Sequence, residues 1–129
     1  MRVSIEIDPE TGFAIATCSG VLRLNDAREA AARLWETAAW RGRSAVWDLR
    51  AAEVDVSSAE TREIAKFILQ HQPTPPPARI AFVTQRDVDF GMARMFQVFR
   101  EDPGTAFRVF RDYEEAICWA RSPRDPSEL

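Results

Sequence analysis

The segment Ser44-Ala45-Val46-Trp47-Asp48-Leu49 decides the fold. Five of its six residues suit burial, without the polar alternation of a strand that has one wet face. A short run buried on both sides is what a central parallel strand requires, because helices cover such a strand above and below. Downstream, Ser57-Ser58-Ala59-Glu60 forms a capping box, with Ser57 as the cap and Glu60 three residues later. The helix it opens carries Ile64, Phe67 and Ile68 on one face and is expected to run to about Gln70. Pro73-Thr74-Pro75-Pro76-Pro77 then forces an extended connector. Ile80-Ala81-Phe82-Val83 is a second continuous apolar run and suits another buried strand. Asp87 or Asp89 is a candidate cap for a third helix, on which Val88, Met92, Met95, Phe96 and Phe99 recur at helical spacing. Asp102-Pro103-Gly104 breaks the chain, and Phe107-Arg108-Val109-Phe110 reads as a fifth strand. Asp112-Tyr113-Glu114-Glu115 is a second capping box, opening a last helix through Ala116, Ile117 and Ala120.

Upstream, Val3, Ile5 and Ile7 alternate with polar residues, the period of a strand with one wet face. Pro9-Glu10-Thr11-Gly12 is a turn, and Phe13 to Cys18 is expected to return antiparallel as a hairpin, with Ser19-Gly20 interrupting before Val21-Leu22. Asn25 is a candidate cap for a helix running to about Ala39. The order is strand, strand, helix, then three strand-helix units. Right-handed crossovers then give an α/β fold with a five-stranded, mixed but mostly parallel sheet, an N-terminal hairpin and about four helices. One domain is expected over residues 1–121, with 122–129 a frayed tail.

Composition bounds the function. The 129 residues are 46% hydrophobic and 29% charged, which fits one globular domain. The net charge of -3 argues against nucleic acid held through its phosphates. The positive charge is carried by sixteen arginines and the single Lys66. The start has no unbroken apolar core of the signal-peptide kind, and no stretch approaches the ~18 apolar residues of a membrane span. A cytoplasmic protein without membrane insertion is expected. Cys18 and Cys118 show no metal-type spacing, and their apolar neighbours predict a buried thiol for each. Gly-rich phosphate loops, HExxH, GxSxG and CxxC are missing from the sequence. The lone His71 cannot build a multi-histidine metal site. An enzyme is therefore not expected, nor a cofactor.

The element order resembles the STAS fold of anti-sigma-factor antagonists, and in particular the SpoIIAA-like, STAS/CRAL-TRIO-related bacterial proteins. Three segments carry the likeness: Val46-Trp47-Asp48-Leu49-Arg50, Phe90-Gly91-Met92-Ala93-Arg94-Met95-Phe96, and Arg108 through Trp119. The resemblance implies a fold over about residues 1–121 and a role as a regulatory or protein-interaction module, acting through a protein partner or as a homodimer. In the antagonists, a serine shortly after the Asp-Leu strand is phosphorylated by a partner kinase. Ser57 falls at that position, although Val56 and Ala59 stand where the antagonists have Asp and Gly; the plainer role of Ser57 is the helix cap.

Two ligand sites are weighed as the alternative function. In open α/β sheets ligands bind outside the carboxyl ends of the strands. Arg50, Arg86 and Arg111 end three strands there, and are candidates to face one small anion; each also has an aspartate close by with which to pair. The Met92, Met95, Phe96 and Phe99 stripe, with Phe90, is first a buried helix face and second the lining of an adaptable cavity for a lipid-like ligand. Asp87 and Asp89 read as first-turn charges before metal ligands. Trp35 and Trp40 cannot share one helix stripe, which points one of them toward an interface.

Overall fold

The computed structural model describes residues 1–37, 43–72, 78–99 and 105–121. Along them run β1 (Arg2–Ile7), β2 (Ala14–Leu22), α1 (Leu24–Trp35), β3 (Ala45–Val54), α2 (Ser58–His71), β4 (Arg79–Val83), α3 (Asp87–Phe99), β5 (Ala106–Phe110) and α4 (Tyr113–Arg121). The sheet order is β1-β2-β3-β4-β5, with β1 antiparallel to β2 and the other neighbours parallel. The expected mixed α/β sheet with its N-terminal hairpin is what forms. The prolines of 73–77, the Asp102-Pro103-Gly104 break, Trp40 and the 122–129 tail lie outside the described residues.

Strand β3 is central and covered on both faces. Of Ser44 to Leu49 only Trp47 is half-buried; the rest, Asp48 included, are buried. Val46 points to the layer formed by α4, where Phe13, Ala81, Val83 and Phe110 pack against Ala116 and Ala120. Trp47 and Leu49 point to the opposite layer, among Leu34, Cys18, Leu22 and Phe82. The two fully buried valines, Val46 and Val83, each stabilise by about 1.5–3 kcal/mol relative to exposure. On the far side, α1 and α3 lie against the strands, while α2 rests on α1 and α3.

The end of α4 is held by two buried donors. Ser44 Oγ donates to the Ala120 carbonyl at 3.0 Å, and Arg79 Nη1 donates to the Trp119 carbonyl at 3.0 Å with its guanidinium over the Trp119 ring. These are carbonyls that a helix end leaves without intrahelical partners.

Local details correct several expectations. Ser19-Gly20 does not interrupt β2: Gly20 takes φ +88° and pairs with Ala52, so the ladder with β3 continues to Leu22. Helix α1 starts at Leu24, with Arg23 rather than Asn25 at its cap, because the Asp26 carboxylate accepts the Arg23 N–H at 2.9 Å. It stops at Trp35, where the Thr37 N–H turns back to the Leu34 carbonyl, short of Ala39. Neither Asp87 nor Asp89 caps α3; both lie inside its first turn, after Arg86. Val88 is 53% exposed and leaves the buried stripe. Cys118 is exposed too, because α4 buries Ala116 and Ala120, two residues to either side and so on the opposite face. Both predicted capping serine and aspartate positions hold: Glu60 N–H donates to Ser57 Oγ at 3.1 Å, and Glu115 N–H to Asp112 Oδ1 at 3.0 Å.

Candidate functional site

A cavity of about 120 Å³ lies between the sheet and α2. Its floor is Trp47, Leu49, Ile80 and Phe82; Met92, Ala93 and Phe96 of α3 form one wall, and α1 forms the other. Thr61, Ile64 and Ile68 of α2, with Gln72 just past its end, line it from above and leave it partly open. The space has a cause in the sequence. On α1, Ala27, Ala30 and Ala31 recur at i, i+3 and i+4, so the helix turns its smallest side chains toward the strands. Ala93 does the same on α3. Large aromatic rings stand around these alanines and prevent collapse onto them.

The lining is apolar, and its one hydroxyl is spent: Thr61 Oγ1 donates to the Ser57 carbonyl at 2.9 Å. The lining runs from Thr61 in the first turn of α2 to Gln72 just past its end. The α1–α2 seam beside it is aromatic and charged. Trp35 stacks on Phe67 at 5.9 Å, Arg28 lies over Phe67 at 5.7 Å, and Arg28 pairs with Glu63 at 3.4 Å. Phe67 also stacks on His71 at 4.5 Å, and the His71 ring nitrogen Nδ1 meets the Phe67 carbonyl at 2.8 Å. His71 is thus a surface residue at the last turn of α2. Trp35 belongs to this seam.

Arg50, Arg86 and Arg111 each hold an acidic partner of their own. Arg50 grips Asp48 with Nε at 2.9 Å and Nη2 at 2.8 Å, and lies 4.8 Å over the Tyr113 ring. Arg86 pairs with Glu53 at 2.6 Å and reaches Asp89 at 3.5 Å. Arg111 pairs with Asp87 at 2.7 Å and covers the Phe90 ring at 4.5 Å. Arg86 and Arg111 therefore flank the start of α3, whereas Arg50 stands with Asp48 on the α4 side of the sheet and inside β3, which runs on to Val54 instead of ending at Arg50 as expected.

Burial works to raise the Asp48 carboxyl, but the Arg50 hydrogen bonds outweigh it and hold Asp48 below the ordinary aspartate value. Burial raises the Tyr113 hydroxyl, with Asp48 adding to the effect. Burial also pushes the Cys18 thiol up to about 12, again with help from Asp48. Ser57 is exposed, and its hydroxyl serves the cap.

Asp89, expected only as a cap or first-turn charge, has a structural role that the sequence does not show. Its side chain is fully buried, and Oδ1 accepts the Val54 N–H at 3.0 Å, tying the end of β3 to the first turn of α3. Asp89 Oδ2 and the buried Thr84 hydroxyl have no hydrogen-bond partner among the described residues. Among those residues no group of three His, Cys, Asp or Glu side chains is placed to hold a metal ion, and no helix is long and apolar enough to cross a membrane.

A hairpin-led sheet in the order 1-2-3-4-5, with three helices on one face and one on the other, defines a SpoIIAA-like α/β fold. A solved structure bears this out: the uncharacterized DUF3478-family protein with a SpoIIAA-like fold from Shewanella loihica PV-4 is similar over 92% of both chains, with a TM-score of 0.60 and 20% identity. At that identity the likeness shows the fold alone. No family model and no curated protein matches the chain.

Proposed function

We propose that the chain is a non-enzymatic binding module whose ligand is a small, lipid-like apolar molecule held beneath α2. The observation that carries this reading is the cavity lined by Ala27, Ala30, Ala31 and Ala93. An apolar space of this size offers a guest burial and little else. An engineered apolar cavity of about 150 Å³ stays dry and takes up benzene, which sets the scale. A volume of about 120 Å³ favours a short alkyl chain or a single small ring over a long acyl chain. Trp35 and Trp47 line it and report occupancy. Titration with pentane and with benzene, followed by tryptophan emission, should saturate. A response that stays linear up to the solubility limit of both probes would refute the reading.

A second reading, a regulatory protein-interaction module, draws support from Leu69, Val88 and Val98, which are 51%, 53% and 67% exposed on α2 and α3. Light scattering across a concentration series tests self-association: a dimer abolished by Val98→Glu supports it, and a monomer throughout removes the homodimer.

A further inference from the structure

The register of β2 against β3 slips at one place, and the slip builds a second site. Thr17 pairs with Asp48, but Ser19 pairs with Ala51, so β3 carries one residue more than β2 between these pairs. This is a β-bulge, a feature that re-aims side chains and leaves an extra residue outside the ladder. Arg50 falls in the bulge. Its N–H turns to Asp48 Oδ1 at 3.2 Å, and its guanidinium closes on the same carboxylate. Asp48 is 10% exposed and Arg50 39%, so the carboxylate is sunk while the guanidinium reaches the surface. The Tyr113 ring backs Arg50 from α4. An arginine held in this way has little rotamer freedom left to lose on binding.

Around it lies an open depression lined by Thr17, Asp48, Arg50, Ala51 and Gln85. It is on the α4 side of the sheet, set within β2 and β3 at the bulge and beside Gln85, which follows the end of β4. Arg50 spends Nε and Nη2 on Asp48, and its Nη1 meets no acceptor among the described residues. Thr17 brings a hydroxyl and Gln85 an amide to the same hollow. Small Ala51 leaves room between them.

We propose that this bulge-built hollow binds the carboxylate of a small organic acid, with Arg50 Nη1, the Thr17 hydroxyl and the Gln85 amide as donors. The site is separate from the apolar cavity and does not depend on it. Asp48 sets the preference for charge: the Arg50–Asp48 pair is neutral overall, so no net charge offsets the larger desolvation cost of a phosphate dianion, whereas a single carboxylate needs only the hydrogen-bond donors.

The test is a titration of backbone amide shifts with acetate and with benzoate, at ionic strength held constant with chloride, and with inorganic phosphate in parallel. Saturable shifts of Thr17, Ala51 and Gln85 with a dissociation constant near or below ~1 mM are expected. Thr17→Val and Gln85→Leu leave the Arg50–Asp48 pair intact and should each weaken acetate or benzoate binding about threefold to tenfold. Shifts that never saturate, shifts spread over all arginine-rich surfaces, phosphate binding more tightly than either carboxylate, or unchanged affinity in both variants would overturn the proposal.

Discussion

Filling the cavity should stabilise the protein and expel its guest together. Ala31 is 3% exposed and lines the space from α1. An unfilled volume of about 120 Å³ corresponds to ~3 kcal/mol of forgone packing at ~24 cal/mol per Å³. Ala31→Leu adds three carbons, about 2.4 kcal/mol if all are buried at ~0.8 kcal/mol each. Fixing the leucine rotamer takes back roughly 0.5–1 kcal/mol. The expected gain is therefore about 1.5 kcal/mol, or near 6 °C in Tm at ~4 °C per kcal/mol for a domain of this size. Ala93→Leu, on the opposite wall, should act in the same direction. Thermal denaturation and benzene titration of both variants give the answer. A fall in Tm for both, with benzene binding unchanged, would mean that no usable space lies beneath α2.

Other perturbations report on other parts of the fold. Asp89→Ala strands the Val54 N–H in the interior and should lower stability by about 2–3 kcal/mol in urea unfolding, with Asp89→Asn milder because it keeps the acceptor. Asp48, held below its unfolded value, contributes stability that is present above about pH 4 and lost as pH falls through its folded value. Arg50→Met should therefore destabilise the protein by roughly 2 kcal/mol at neutral pH and flatten the loss of stability on acidification, as read from Tm against pH. Ser57→Ala should cost about 1 kcal/mol through the lost cap, and Ser57→Asp should restore most of it in the same thermal assay. A thiol-disulfide exchange reagent should react with exposed Cys118 in the native protein and with Cys18 only after unfolding; two rapid equivalents would contradict the burial of Cys18.

The sheet was legible because its signals are local. The run from Ser44 to Leu49 shows its two-faced burial in its composition, the alternation at Val3, Ile5 and Ile7 marks a one-faced strand, and the two N-terminal boxes start α2 and α4 where Ser57 and Asp112 stand. Features set by partners distant in sequence were hidden. Asp89 reads as an ordinary first-turn acid, and only the fold brings Val54 over it. The alanines of α1 read as helix propensity; their meaning as missing volume needs Trp47 and Phe82 opposite. The bulge at Arg50 follows from registration against β2 and has no mark within β3 itself. The three arginines were visible in the sequence as one candidate group, but their separate partners, Asp48, Glu53 and Asp87, depend on how α3 and the sheet meet. Cys118 was assigned by its apolar neighbours, where the turn of α4 decides.

The central claim is that an apolar space beneath α2 accepts a guest. A crystal structure determined under xenon pressure tests it most directly. Xenon density bounded by Trp47, Phe82 and Ala93 in the wild type, and absent from Ala31→Leu, is the predicted result. Side chains packed together across that space, or ordered water filling it, would contradict the account.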